Sequence, residues 1–121
     1  MTKTEHRIIH QWEETLIADY YDYRSRKLLD PLYEQFQQWK AGSLSHDALF
    51  NAIHLVHKGN QEFYNFYSQK RQTLAKWIQF DPWFDEWLKT HPAPEGADLL
   101  PDSMKAFRTG DMEPTETKDD A

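Results

Sequence analysis

Between His6 and His91 the chain contains only four residues that readily interrupt a helix: Pro31, Gly42, Gly59 and Pro82. A strand-rich fold needs a turn every few residues, and turns draw on glycine, proline and asparagine. So long a stretch with so few of these residues is expected to fold as an all-α domain. The apolar spacing agrees. Ile9, Trp12, Leu16, Tyr20 and Tyr23 recur at steps of three and four, which places them on one helical face. Beyond Tyr23 the apolar face moves. At about 100° per residue, Leu28, Leu29, Leu32, Phe36 and Trp39 centre on a stripe roughly 160° away. Asp30-Pro31 lies in the changeover, with Asp30 suited to an N-cap and Pro31 to a first helical position. The pattern predicts a helix from about Glu5 to Lys40, with a kink or a stop and restart at Asp30-Pro31.

Ala41-Gly42-Ser43-Leu44-Ser45 reads as a tight helix-to-helix turn. Gly42 suits the left-handed C′ position, Ser45 the next N-cap, and Leu44 and Leu49 a hydrophobic staple. A second long helix is predicted from about His46 to Phe80. Its stripe is Leu49, Ile53, Val56, Phe63, Tyr67, Leu74, Trp77 and Ile78, flanked by Ala52 and Phe66. The spacing is close to a coiled-coil repeat. At ~1.5 Å per residue such a helix is about 50 Å long. The two helices are expected to form a long antiparallel hairpin, positions pairing where their numbers sum to about 85. Asp81-Pro82 then repeats the cap-and-start device ahead of a short aromatic helix holding Trp83, Phe84 and Trp87.

From Pro92 the character changes. Pro92, Pro94, Gly96, Pro101, Gly110 and Pro114 break any long helix. The expected division is a helical domain over 1–91 and a flexible acidic tail over 92–121. The last eleven residues are expected to be disordered, and 99–107 to hold a docking motif built on Leu99, Leu100, Met104 and Phe107. The net charge of −6 sits mostly in this tail, where three bases stand against eight acids. Neither part carries the basic stripe that nucleic-acid binding requires. The absence of cysteine excludes disulfides, thiol nucleophiles and thiolate metal centres. No run of apolar residues is long enough to span a membrane, and the first residues lack the apolar core of a secretory signal. The cytosol is the expected compartment.

Five groups of residues bear on possible chemistry. His6, His10 and Glu13 share one side of the first helix, and His54 and His57 lie one turn apart on the second. These are candidate metal ligands, although no Glu-x-x-His unit is present. Tyr20, Tyr21 and Tyr23 fall opposite Phe63, Tyr64, Phe66 and Tyr67. That aromatic block fits a packed core and also the pocket of a flat cofactor such as a haem or bilin. Arg24, Lys27, Lys58 and Asn60 could hold an organic anion or phosphate. Alternatively, Arg24 pairs with Glu62 and Asn60 fixes the register of a bundle seam. No nucleophile elbow or phosphate-cradling loop is present. The fifth constellation is the 99–107 segment.

These readings lead to a non-enzymatic interaction protein with no cofactor. The hairpins would dimerise into a four-helix bundle through a Val56–Phe63–Leu74 stripe. Trp83, Phe84 and Trp87, or the tail residues Leu99, Leu100, Met104 and Phe107, would recruit a protein partner. The alternative is a bundle binding metal, haem or a small anion, with Tyr20, Tyr23, Arg24, Asn60, Phe63 and Tyr67 around the ligand. An enzyme acting on a small anion at Arg24, Asn60 and Glu62 is the third reading.

Overall fold

The structure, a computed structural model, describes residues 1–108, and these are all-α with no strand among them. The expected disorder of the last eleven residues, and the breaks at Gly110 and Pro114, fall outside the described residues. The elements are α1 (Lys3–Lys40), α2 (His46–Tyr67), α3 (Arg71–Ile78), α4 (Trp83–Thr90) and α5 (Asp102–Lys105). Among the described residues, no helix is long and apolar enough to cross a membrane.

Helix α1 begins with a reciprocal capping box. The Glu5 amide donates to Thr2 Oγ1 and the Thr2 amide to Glu5 Oε1, both at 3.1 Å. The helix then runs through Pro31 without interruption, so the stop and restart is not realised. Proline there forfeits one main-chain hydrogen bond. The turns on either side are secured independently, by packing of Leu28 and by the turn after Lys40. That turn is a Schellman motif: Ser43 N–H donates to Gln38 O at 2.9 Å and Gly42 N–H to Trp39 O at 3.0 Å. Gly42 sits at φ +86, a left-handed position that suits glycine. Ser45 Oγ accepts from Ala48 N–H at 3.0 Å and opens α2.

The second long helix does not continue to Phe80. It stops at Tyr67 and restarts at Arg71. Ser68 Oγ donates to Asn65 O at 2.7 Å, and Lys70 is extended at ψ 150. A serine that bonds back to a carbonyl one turn earlier competes with helix continuation. Helix α2 is therefore 22 residues long, or about 33 Å.

The chain divides into two compact units. One comprises Met1–Tyr20 and the chain from Gln69 onward; the other is Tyr21–Ser68. In the first, Leu16, Tyr20, Leu74, Ala75, Ile78, Phe84, Trp87 and Leu100 form the core. Each fully buried leucine or isoleucine contributes about 1.5–3 kcal/mol. Polar groups inside this unit are paired. Glu13 accepts from Arg71 Nε at 2.9 Å. Asp81 Oδ2 accepts from the Tyr20 hydroxyl at 2.9 Å, while its Oδ1 accepts from Trp83 N–H and caps α4. Gln79 is buried and holds the segment beyond α4. Leu100 N–H donates to Gln79 Oε1 at 2.6 Å, Gln79 Nε2 donates to Asp98 O at 2.9 Å, and Arg108 Nε donates to Gln79 O. Arg108 also pairs with Asp85 at 2.6 Å.

The Tyr21–Ser68 unit is a helical hairpin made by the C-terminal half of α1 and by α2. Leu28 lies against Gly59 so closely that a Cβ there would stand 2.9 Å from Leu28 Cδ2. Tyr21 stacks on Phe63 with centroids 5.4 Å apart, and the Arg24 guanidinium lies 5.7 Å from the Phe63 ring centre. These contacts follow the antiparallel register expected from the sequence.

Candidate interaction surface

Within the hairpin unit the helices meet along a narrow line. On α1 the line is Tyr21, Arg24 and Leu28; on α2 it is Gly59 and Phe63, with Leu49 and Ala52 also buried. The apolar sector of each helix is wider than that line. On α1, Leu32, Phe36, Leu29 and Tyr33 fan out to one side of it over about 100°. On α2, Val56, Ile53, Tyr64 and Phe50 fan out in the same way. The two sectors adjoin. A cleft of about 400 Å³ runs between them, lined from α1 by Tyr21, Ser25, Leu28, Leu29 and Leu32, and from α2 by Ile53, Val56, His57, Asn60 and Phe63. Tyr21, Leu29 and Ile53 of its lining, and Tyr33, Phe36, Phe50 and Tyr64 further round the same two helix sectors, keep between 37% and 75% of their surface exposed. Single exposed apolar residues are ordinary, and a group of this size makes the hairpin a candidate interaction surface.

The other unit has a smaller exposed group. Trp77, Leu99, Met104 and Phe107 are exposed. Trp77, Met104 and Lys76 line a cleft of about 470 Å³ together with Phe80, Asp98, Leu100 and Pro101. Lys76 Nζ is fixed there by Asp98 at 2.7 Å. Of the docking residues anticipated in 99–107, Leu100 is buried and the other three face outward.

The aromatic helix α4 is placed differently. Phe84 and Trp87 are buried at 2% and 6% exposure. Trp12 packs on both rings, at 6.2 and 5.5 Å, and Trp83 packs on Tyr20 at 5.2 Å. Trp87 Nε1 donates to Asp19 Oδ2 at 2.8 Å, and Trp12 Nε1 donates to His91 O at 3.0 Å. A partner could reach Phe84 or Trp87 only by opening this core. Leu74 is buried in the same unit and Phe63 is buried in the hairpin, so these two members of the Val56–Phe63–Leu74 stripe are also enclosed.

The remaining candidates are dispersed. Tyr20 belongs to one unit; Tyr23, Arg24, Asn60, Phe63 and Tyr67 belong to the other. Tyr21, rather than Tyr20 or Tyr23, stacks on Phe63 and meets the edge of Tyr67 at 5.3 Å. Tyr23 carries the Lys27 ammonium over its ring at 5.3 Å. Among the metal candidates, His10 pairs with Glu14 at 3.2 Å and Glu13 with Arg71. His57 lies 3.4 Å from Gln61, while His6 and His54 are exposed. Among the described residues, no three histidine, aspartate or glutamate side chains come together as a cation site.

Tyr33 and Phe50 entered no stripe in the sequence, and Tyr64 entered only the aromatic block. Their signal was present as width: each extends an apolar sector beyond what one neighbouring helix can cover. No family model, curated protein or solved structure matches this chain.

Proposed function

We propose that this chain is a non-enzymatic helical interaction protein that self-associates as a homodimer and recruits a protein partner. The observation that carries this reading is the uncovered apolar group of the hairpin unit, seven large side chains on two adjoining helix faces. A four-helix bundle made from two hairpins is the economical way to cover such a face. Pro31 within α1 would bend that helix locally and set how it lies along a partner. For recruitment, the outward-facing Leu99, Met104 and Phe107 beside Trp77 are better suited than Phe84 and Trp87, which already serve as core. The cytosol is the compartment that the cysteine-free composition favours.

Sedimentation of the full chain over a wide concentration range tests self-association. Affinity capture with the full chain and with Met104→Glu and Phe107→Glu variants tests recruitment. A protein that stays monomeric at every concentration and captures nothing overturns the proposal. No arrangement among the described residues favours the ligand-binding or enzymatic readings over this one.

A further inference from the structure

We propose that the apolar cleft of the Tyr21–Ser68 hairpin is the dimer interface, occupied by the same cleft of a second copy. The inference rests on the self-association reading and assigns it a surface.

Area is the first argument. Ring side chains bury about 150–250 Å² each. From their exposed fractions, the five rings, Leu29 and Ile53 leave roughly 700 Å² of apolar surface uncovered on this side. That exceeds the ~300–600 Å² of the largest patch on an ordinary monomer. It approaches the ~800 Å² that each partner contributes to a stable interface.

Charge is the second. The polar residues lining the cleft, Ser25, His57 and Asn60, carry no formal charge at neutral pH, counting histidine as neutral. The hairpin holds five acids and five bases. It neither repels its own copy nor selects a strongly charged partner.

Shape is the third. A two-fold axis through the middle of the cleft pairs a surface with itself. Such an axis would set Leu29 and Phe36 of one α1 against Ile53 and Phe50 of the other copy's α2. The result is four helices around one apolar seam, with Asn60 as the polar group that fixes register.

The test uses the full chain and three substitutions at exposed positions. Leu29→Glu and Ile53→Glu place a carboxylate in the cleft. Leu55→Glu places one on the far side of α2, where Leu55 is also exposed. Circular dichroism confirms that helicity is unchanged, and sedimentation velocity reads association. The first two variants are expected to weaken association by about a hundredfold or more, because each buries an unpaired charge in a dimer. Leu55→Glu is expected to leave it unchanged. An oligomer that persists in both cleft variants overturns the assignment of this surface and leaves self-association intact. A wild-type chain that is strictly monomeric overturns both.

Discussion

Asp81 ties together parts of the chain 61 positions apart in sequence: its carboxylate receives the Tyr20 hydroxyl and the Trp83 amide on separate oxygens. Removing the hydroxyl in Tyr20→Phe leaves a buried oxygen with one donor fewer. The expected cost is about 1–3 kcal/mol, seen as a lower urea midpoint at unchanged slope. Arg71→Met poses a sharper problem, since Glu13 is buried and Arg71 Nε donates to it. Arg71 is itself about one-third exposed. Solvent therefore screens part of the interaction, and the expected loss is again about 1–3 kcal/mol in the same assay. Asn60 belongs to a different class, lying exposed along the cleft. Asn60→Leu is expected to strengthen association while broadening the distribution of oligomers, because a polar seam residue sacrifices affinity for a single register. Sedimentation velocity distinguishes that outcome from simple tightening.

At the scale of elements, a proline within an α-helix costs about 3 kcal/mol or more in a regular interior. Pro31→Ala is expected to raise the thermal midpoint by several degrees, since ~1 kcal/mol moves it by about 4–8 °C in a chain near this size. An unchanged midpoint in differential scanning calorimetry would mean that the helix absorbs the proline without penalty. The helices that could be read from sequence were those punctuated by residues with one dominant structural meaning. Gly42 and Ser45 marked the turn, and Asp81 marked α4. The start of α1 was expected only at about Glu5, and its Thr2–Glu5 capping box emerges in the structure. The break at Ser68–Lys70 had no such marker. Serine, glutamine and lysine are all tolerated in helices, and a continuous 3.5-residue spacing ran straight across them. What divides α2 from α3 is the Ser68 bond back to Asn65 O combined with tertiary contacts: Arg71 turns to Glu13 and Leu74 enters a core built with Leu16 and Tyr20. The same blindness affected the candidate site. Periodicity located the apolar faces, but it could not say which rings a neighbouring helix would cover. Trp87 and Phe50 look alike as letters, and one is core while the other is exposed.

At the scale of the whole molecule, a dimer held by an apolar seam has a definite thermodynamic signature. Its unfolding midpoint rises with protein concentration, because association stabilises only the folded chain. Its dissociation constant changes little between low and high salt, since few charges are brought together. Thermal melts at several concentrations and two ionic strengths check both expectations. The division into two units has a practical corollary in the placement of chromophores. Four of the five indoles, at Trp12, Trp77, Trp83 and Trp87, lie in one unit, whereas five of the six phenols, at Tyr21, Tyr23, Tyr33, Tyr64 and Tyr67, lie in the other. Tryptophan emission therefore follows one half of the protein and tyrosine second-derivative absorbance follows the other. The degree to which the two optical curves superimpose on heating measures, without any label, how tightly the halves melt as one.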